Sequence, residues 1–519
     1  MTRVRDSLAK GRGRVFLVGA GPGDPGLITV RGIECIRQAD LILYDYLVNP
    51  RLLDHAPPAA ERVCLGRHGQ GRIMTQEEIN RRLVDEAGRG RIVVRLKGGD
   101  PALFARGAEE AQVAANAGIP FEIVPGITAA TAAGSYAGIA VTDRELASAV
   151  AFVTGQEWHG KEDSQLDITA LAGFPGTLVF YMGVTTAPRW TQALIAAGKP
   201  VDTPAAIVRR CTWYDQRVIH CRLVDVPQIV ADAPMRPPVI VIIGQVAARE
   251  RTTDWFTARP LSGQTVLVTR SRGQAPLLRD ALAELGARVL VQSAIDISDP
   301  PNWQPVDDAI AQLGRYDWLV FSSANGVRYF LGRLLSTGRD LRALGGVKLA
   351  AIGPGTGQAL QDSQLRADVQ PNQFRSEALA DALAKGAGGK RFLLVRASRG
   401  RDVLPRRLAA AGADVEQVVA YTSSDVRAAS AEVSDALRQG EIGWTTVTSS
   451  AIARSLASLF GSDLAKTRLV TISPLTSAAL RAVGHAPAAE ATYYTIGGVV
   501  AAILAAVAAG RTPGPGRSD

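Results

Sequence analysis

The sequence predicts an α/β protein of several domains, and three features carry that prediction. Short apolar runs rich in β-branched residues, such as VFLV at 15–18, IVVRL at 92–96 and VIVII at 239–243, alternate with segments of helical length. Such runs are typical of strands that helices cover on both faces. Several of them end in glycine-rich turns, and a chain of 519 residues is too long for a single core.

Composition and charge narrow the classes of function. The chain is 47% hydrophobic and 21% charged, as in soluble globular proteins. Its formal net charge of +9 favours an acidic partner, which could be nucleic acid, a membrane surface or a polyanionic small molecule. The sequence has neither an RNA-recognition signature nor a long basic block, so we expect no nucleic-acid partner.

Cysteine and histidine usage predicts a reduced, cytoplasmic protein without a metal site. The sequence contains no CxxC pair and no HExxH motif. The N-terminal residues lack the apolar run of a signal peptide. The apolar stretch 496–510 is 15 residues long, too short for a membrane span, and predicts a packed terminal helix. The four cysteines are Cys35, Cys64, Cys211 and Cys221.

The pattern changes within residues 248–263, where we place the main domain boundary. Beyond it, three motifs occur twice in the same order. VLVTRSRGQAPLLRDALAELGARV at 266–289 resembles FLLVRASRGRDVLPRRLAAAGADV at 392–415. FSSANGVR is echoed by VTSSAIAR, and AIGPGTGQAL by TISPLTSAAL. The repeat predicts two similar α/β lobes with a cleft between them.

The stretch VFLVGAGPGD at 15–24 is a candidate ligand-binding loop, because a glycine turn after a strand can bind a nucleotide. In the dinucleotide fingerprint G-x-G-x-x-G, Gly19 and Gly21 fit, and Asp45 stands near the place of the ribose-binding acid. The third glycine is replaced by Asp24, which would face the pyrophosphate, and Pro22 removes a backbone donor. The loop therefore matches the dinucleotide fingerprint only in part, and an NAD-dependent oxidoreductase is the rival enzyme class.

Two further loops follow strands in the same half, RLKGGDP at 95–101 and PGITAATAAG at 125–134. The carboxyl ends of parallel strands lie at one edge of a sheet, and ligands of open α/β sheets bind there. We therefore expect the three loops to converge on a ligand cleft.

At this point the motifs show a family resemblance. GAGPGDPGLITVRG, LILYD, TQEEIN, VVRLKGGDP, GIPFEIVPGITAA, GIAVT and TLVFYMG make residues 14–250 similar to uroporphyrinogen-III C-methyltransferases of the tetrapyrrole methylase family. The resemblance implies two α/β subdomains, split near residue 145, with S-adenosylmethionine bound between them. It also implies two methylations of uroporphyrinogen III to precorrin-2, and a homodimer formed through this half. A methylase of a later corrin intermediate, joined to a degenerate second half, is the alternative.

The resemblance also implies roles for residues. Asp45 matches a proposed proton acceptor, and Arg67 stands where the family has a proposed lysine donor. Arginine stays charged, so Arg67 is expected to orient a substrate carboxylate instead. Asp24 would contact pyrrole N–H groups or cap the helix that starts near Pro25. The methyl donor is expected against Pro22, Gly98, Gly99, Asp100, Leu103, Thr128, Ala129 and Met182, with Cys211 where the family has glycine.

Residues 262–510 resemble uroporphyrinogen-III synthases through the repeated motifs above, DWLVFSSANGV and VAYTSS. The resemblance implies closure of hydroxymethylbilane to uroporphyrinogen III with inversion of the last ring. It also implies two lobes, one of residues 262–295 with 425–510 and one of residues 296–420. The product of such a synthase is the substrate of the methylase, so the sequence predicts a fused two-step enzyme. A tetrapyrrole-binding protein without turnover is the non-enzymatic alternative.

In this second half Tyr421 is the candidate for assisting departure of the hydroxyl group, and Arg270 and Arg396 for pairing with carboxylates. Both substrates carry several carboxylates, which suits a cationic chain. Serines before a helix often cap it, and that alternative stays open for one serine of each pair. The expected polar contacts to the substrate come from Ser322, Ser323, Asn325, Thr356, Ser449, Ser450 and Thr476.

Overall fold

The computed structural model describes residues 13–66, 74–157, 165–232, 235–249 and 254–510. Over these ranges it contains four five-stranded sheets, each accompanied by helices, so the α/β prediction is confirmed. Contacts divide the chain into two compact units, which we call the first unit and the second unit, between Ser262 and Gly263.

The first sheet of the first unit is wholly parallel, with the order β3-β2-β4-β1-β5. Apolar clusters cover both of its faces, which explains the continuous apolar runs in the sequence. The carboxyl ends of its strands lie at one edge. The strands are β1 (Arg14–Gly19), β2 (Leu41–Tyr44), β3 (Glu61–Cys64), β4 (Ile92–Lys97) and β5 (Phe121–Val124), and the helices are Val30–Arg37, Gln76–Gly88, Gly107–Asn116 and Ala129–Tyr136.

The second sheet is mixed, with the order β6-β7-β10-β8-β9. Its first two strands are parallel and the other pairs antiparallel. The helix Ala129–Tyr136 packs on this sheet through Ala130 and Ala133. The strands are β6 (Val150–Thr154), β7 (Thr177–Tyr181), β8 (Pro204–Arg209), β9 (Arg217–Arg222) and β10 (Val239–Ile243), and the helices are Ile168–Ala172, Ala187–Ala196 and Val226–Asp232.

Residues 254–262 complete the first unit. Trp255 Nε1 donates to the carbonyl of Ser135 at 2.9 Å, and the Phe256 ring lies 4.8 Å from that of Tyr136. Phe256 is 3% exposed and Leu261 is fully buried. This segment, which we call the strap, packs against the end of the helix Ala129–Tyr136 and lies beyond residue 250, where the sequence resemblance ends.

The second unit contains two sheets whose strand orders repeat. Each copy of the long repeat contributes two neighbouring parallel strands to one sheet, β11 and β12 from the first copy and β16 and β17 from the second. The next strands, β18 and β19 in one sheet and β14 and β15 in the other, follow in the same order. The strands are β11 (Thr265–Val268), β12 (Arg288–Val291), β13 (Ile295–Ser298), β14 (Trp318–Phe321), β15 (Lys348–Ala351), β16 (Arg391–Ala397), β17 (Asp414–Asp425), β18 (Trp444–Val447), β19 (Arg468–Thr471) and β20 (Ala489–Glu490).

The chain passes between these two sheets twice, after β12 and after β17. The helices that alternate along the chain with the strands of the sheet β12-β11-β18-β19-β20 are Ala275–Glu284, Ala431–Arg438, Ser450–Phe460, Pro474–Arg481 and Ile496–Gly510. The sheet β13-β17-β16-β14-β15 has the helices Gln304–Ala311, Ala324–Ser336, Pro354–Asp362, Ser376–Ala384 and Val403–Ala410. The apolar stretch 496–510 is thus a terminal helix, and over the described part of the chain no helix has the length and apolarity to cross a membrane.

Candidate functional site

The three glycine loops of the first unit are in backbone contact. Gly99 N donates to Gly21 O at 2.8 Å, and Gly126 N donates to Asp100 Oδ2 at 2.8 Å. A Cβ atom at Gly19 would lie 2.5 Å from the Gly126 Cα and 2.8 Å from the Gly99 oxygen. The glycines therefore permit the close approach, and the structure brings together the loops that follow β1, β4 and β5.

Asp24 uses both carboxylate oxygens within the protein. Oδ1 accepts a hydrogen bond from Gly26 N at 2.8 Å, which caps the short 3₁₀ helix Pro25–Leu27. Oδ2 accepts one from the Tyr136 hydroxyl at 2.9 Å. The capping interpretation thus describes the observed contact, and a contact of Asp24 with pyrrole N–H groups stays a prediction.

A loop from the second sheet holds the first glycine loop in place. Trp213 Nε1 donates to Pro22 O at 3.1 Å, and a Cβ atom at Gly23 would lie 2.0 Å from that nitrogen. Thr212 Oγ1 accepts from Asp24 N at 2.9 Å. No motif pointed to Trp213 or Thr212, because the pairing joins residues almost two hundred positions apart.

Cys211 lies in the same loop and is 6% exposed. It packs with Ala133, Ile139 and Val208 in the apolar cluster under the second sheet. Burial raises the pKa of its thiol to about 12, so the group is neutral at physiological pH. Cys211 therefore acts here as a small apolar side chain.

Tyr181, at the end of β7, fixes the start of the helix Ala129–Tyr136. Its hydroxyl lies 2.7 Å from Thr128 Oγ1 and accepts from Ala130 N at 2.9 Å. Burial raises the pKa of Tyr181, so its phenol stays protonated. The next residue, Met182, has a φ of +52° and is 47% exposed. Thr128, Ala129 and Met182 are thereby held near one another by a residue that the sequence motifs did not single out.

The rest of the predicted methyl-donor set follows β4. Asp100 Oδ1 accepts from Ala102 N at 2.7 Å, and Leu103 N donates to Asp100 O at 3.3 Å. Gly98 N lies 3.4 Å from Asp45 Oδ2. This glycine loop therefore contacts both the first glycine loop and the candidate base.

Asp45 follows β2 and belongs to a largely buried ionic cluster. Its Oδ1 accepts from Arg95 Nη2 at 2.6 Å, and the Asp45 side chain remains 29% exposed. Arg95 Nε and Lys97 Nζ both donate to Glu110, at 3.1 and 2.8 Å. A carboxylate that is paired with a buried cation and open on one side suits a proton acceptor.

Glu110 and Lys97 are functional candidates that sequence reasoning missed. Glu110 has no exposed surface and Lys97 is 2% exposed. Burial and the charge of Arg95 lower the pKa of Lys97. The run IVVRL at 92–96 predicts a buried strand, and the charges of Arg95 within it and of Lys97 just after it are the one signal in the sequence that could reveal this cluster. Arg67, the other candidate for this site, lies outside the described residues.

In the second unit, Tyr421 lies in β17 and is 6% exposed. Its hydroxyl is 2.9 Å from Ser323 Oγ. Burial raises the pKa of Tyr421, so the phenol is available as a neutral hydrogen-bond donor. The side chain of Asn325 lies near Tyr421 and acts to lower its pKa against the effect of burial, so three predicted site residues lie in one cluster.

In each serine pair, one side chain caps a helix and the other donates to a backbone carbonyl. Ser323 Oγ accepts from Gly326 N at 3.0 Å and Ser449 Oγ from Ile452 N at 3.2 Å, so both cap helices. Ser322 Oγ donates to Val395 O at 3.2 Å, and Ser450 Oγ to Leu475 O at 3.4 Å. The capping alternative therefore holds for one serine of each pair.

The two threonines occupy matching places in the repeat. Thr356 is 4% exposed and Thr476 is 2% exposed. Thr476 Oγ1 lies 3.1 Å from Ser473 Oγ, within the N-terminal turn of its helix. Their contact with substrate stays a prediction.

The repeat-related arginines differ in their partners. Arg396 Nη1 pairs with Asp402 Oδ1 at 2.9 Å and with Gln417 Oε1 at 2.7 Å. Arg270 Nη2 donates to Gln274 Oε1 at 3.1 Å, and the described residues place no carboxylate within ion-pair distance of it. Arg270 is thus the better placed of the two to pair with a substrate carboxylate.

The described ranges contain no group of three or more His, Cys, Asp or Glu side chains that could hold a metal ion. All four cysteines are free.

Comparisons with known proteins assign families to both halves. Residues 14–227 match the family of tetrapyrrole (corrin/porphyrin) methylases, and residues 260–501 match that of uroporphyrinogen-III synthase HemD. Among solved structures, the uroporphyrin-III C-methyl transferase of Thermus thermophilus, complexed with S-adenyl homocysteine, is 38% identical, with a TM-score of 0.40. The likeness covers 46% of this chain and 99% of that one.

Three related proteins show how far the match extends. The porphyrin biosynthesis protein HemD of Ruminiclostridium josui is 34% identical over 84% of this chain and 87% of that protein. The uroporphyrinogen-III C-methyltransferase of Bacillus subtilis is 39% identical over 64% of this chain and 68% of that protein. Siroheme synthase 1 of Yersinia enterocolitica is 46% identical, and the chain spans 54% of its length.

The family prediction is therefore confirmed for both halves, over segments that follow one another in the sequence. Because the resemblance to the Ruminiclostridium protein runs through both of them, the chain belongs to the tetrapyrrole methylases over its N-terminal half and to the HemD uroporphyrinogen-III synthases over its C-terminal half.

Proposed function

We propose that this chain catalyses two consecutive reactions of tetrapyrrole biosynthesis. The second unit closes hydroxymethylbilane to uroporphyrinogen III with inversion of the last ring. The first unit then methylates uroporphyrinogen III twice to give precorrin-2, a precursor of sirohaem and cobalamin. The observation that carries this proposal is the union of the two families in one chain, since the product of one is the substrate of the other.

S-adenosylmethionine is the methyl donor in this proposal. The methylase family match supports it, as does the convergence of the three glycine loops at the carboxyl edge of the first sheet. Pro22, Gly98, Thr128 and Met182 would hold the donor, together with the other residues predicted for it. When bound, the donor supplies a methyl group already activated by a sulfonium, so the protein chiefly orients the acceptor carbon.

Asp45 takes the proton that the methylated ring carbon loses. Its carboxylate is 29% exposed, and Arg95 holds Oδ1 at 2.6 Å, which fixes the direction of the other oxygen. A positioned carboxylate contributes a rate factor on the order of 100 or more to such a step.

We expect Asp45→Asn to retain the binding of S-adenosylhomocysteine and to lower methylation about 100-fold. Calorimetry measures binding, and product mass measures turnover. Asp85→Asn, at an exposed position of the same unit, is the matched control and should keep full activity. If Asp45→Asn methylates at the wild-type rate, Asp45 is not the base.

In the second unit, Tyr421 donates a hydrogen bond to the departing hydroxyl of hydroxymethylbilane. Burial, which raises the pKa of the phenol, keeps the proton in place, and Ser323 at 2.9 Å fixes the direction of the hydroxyl. Departure of the hydroxyl group as hydroxide leaves a reactive cation, so the remaining task of the site is to fold the chain and exclude solvent.

Supplying hydroxymethylbilane with and without S-adenosylmethionine tests both reactions. We expect the type III isomer without the donor, and a mass gain of two methyl groups with it. Formation of only the type I isomer would contradict the synthase assignment. A type III product that never gains mass would contradict the methylase assignment and favour a later corrin intermediate as its substrate.

We also propose a cytoplasmic homodimer formed through the first unit. The four free cysteines support a reducing compartment. Light scattering on the whole chain and on the first unit tests the dimer, because a monomeric first unit would contradict it.

A further inference from the structure

Arg270 is a partly buried cation, and the described residues supply no carboxylate to balance its charge. It follows β11 at the carboxyl edge of its sheet, and its Nε atom is buried without a hydrogen-bond partner. Its Nη2 atom donates to Gln274 Oε1 at 3.1 Å. A buried donor that lacks a partner is destabilising, so an acceptor bound next to Arg270 Nε would stabilise this site.

A second arginine lies near this point, on a helix of the other sheet. Gln274 Nε2 donates to Asn325 Oδ1 at 2.9 Å, which links the two lobes of the second unit. Arg328 lies one turn further along the helix Ala324–Ser336 and is exposed. Burial first, and then the charge of Arg328, lower the pKa of Arg270. Within the described part of the chain, the side chain of Arg328 forms neither an ion pair nor a hydrogen bond.

We propose that Arg270 and Arg328 together form a carboxylate subsite that spans the two lobes and binds an acetate or propionate group of the linear tetrapyrrole. The proposal rests on the synthase activity proposed above. A carboxylate between the two guanidinium groups removes their repulsion and gives Arg270 Nε an acceptor. Charge-assisted hydrogen bonds of this kind are stronger than neutral ones.

Two further contacts support the subsite. Asn325, which joins Gln274 to the other lobe, is two residues from Ser323, whose hydroxyl lies 2.9 Å from that of Tyr421, so a carboxylate held here lies close to Tyr421. The repeat-related Arg396 instead has its own counterion, Asp402 at 2.9 Å. The two arginines that occupy equivalent places in the repeat have thus diverged, and Arg270 is the one without a carboxylate partner.

Arg328→Gln is the first test, because Arg328 is exposed and its replacement should not unfold the protein. We expect the KM for hydroxymethylbilane to rise about tenfold or more, with a smaller change in kcat. Arg328→Lys should recover part of the loss. Arg339→Gln, an exposed position just after the same helix, is the control and should leave KM unchanged.

The double variant tests whether both residues hold the same carboxylate. If they do, Arg270→Gln combined with Arg328→Gln loses less than the product of the two single losses. Losses that simply multiply would mean separate contacts and would overturn the shared subsite. Circular dichroism checks folding, and if Arg270→Gln unfolds the protein, the KM of Arg328→Gln decides alone.

The outcomes separate the subsite from the proposed function. A wild-type chain that makes no type III isomer overturns both. A wild-type chain that makes it, with a KM in Arg328→Gln within twofold of the wild-type value, overturns only the subsite. A tenfold rise that is absent in Arg339→Gln supports it.

Discussion

At the scale of single residues, Glu110 shows how the candidate base is supported. It has no exposed surface, and it accepts from Arg95 at 3.1 Å, Lys97 at 2.8 Å and Gln76 at 3.1 Å. Arg95 in turn holds Asp45. Two cations and two carboxylates therefore compensate one another under the loop that follows β4, and each member depends on the others.

We expect Glu110→Gln to destabilise the first unit by about 3–5 kcal/mol, because Arg95 and Lys97 would keep their charge in a buried place with one carboxylate fewer. Thermal unfolding monitored by circular dichroism measures the change. The neighbouring Glu109 pairs with Arg106 at the surface at 2.8 Å, and Glu109→Gln should cost about 0–1 kcal/mol. Equal effects of the two substitutions would contradict a buried ionic cluster.

At the scale of elements, the site of the first unit depends on loops whose backbones touch. A Cβ atom at Gly126 would lie 2.2 Å from Gly99 O and 2.7 Å from Gly19 Cα. These neighbours are backbone atoms, so they cannot rotate away as a flexible side chain would. The three loops can therefore share one edge only because glycine stands at the contact.

Gly126→Ala should push these loops apart, weaken binding of S-adenosylhomocysteine and destabilise the first unit by about 1–3 kcal/mol. Calorimetry and thermal unfolding measure the two effects. Gly88→Ala is the matched control, because a Cβ atom there meets nothing within 4 Å and its φ is not positive. Unimpaired binding in Gly126→Ala would show that the loop contact does not form the donor site.

At the scale of the whole molecule, the division between Ser262 and Gly263 separates two units that each have their own apolar clusters. The strap contributes Phe256, 3% exposed, and Leu261, fully buried, to the first unit. An end point chosen where the motifs end, at residue 250, would remove both.

We expect residues 1–262 and 263–519, produced separately, each to fold and to keep its own proposed reaction. A first unit cut after Arg249 should melt at a lower temperature than one cut after Ser262, because burial of a phenylalanine side chain contributes about 3 kcal/mol. Melting curves of the two fragments provide the comparison. Identical curves would show that the strap does not belong to the first unit.

The α/β class, the repeat and the convergence of the glycine loops follow from the sequence alone. These properties are encoded locally, in apolar runs, glycines at strand ends and motifs a few residues long. The order of the strands in the second unit reproduces the repeat for the same reason. Capping by Ser323 and Ser449 was open to sequence reasoning as well, since the cap and its acceptor are three residues apart.

Which side chains surround these sites depends instead on tertiary packing. Asp24 meets Thr212 across 188 positions, and Gln274 meets Asn325 across 51. Glu110 reaches the ionic cluster beneath Asp45 from the helix Gly107–Asn116, whose sequence is that of an ordinary amphipathic helix and does not identify Glu110 as buried. Contacts of this kind depend on how elements pack in three dimensions, and hydrophobic periodicity specifies which face of an element is buried but not which partner it meets.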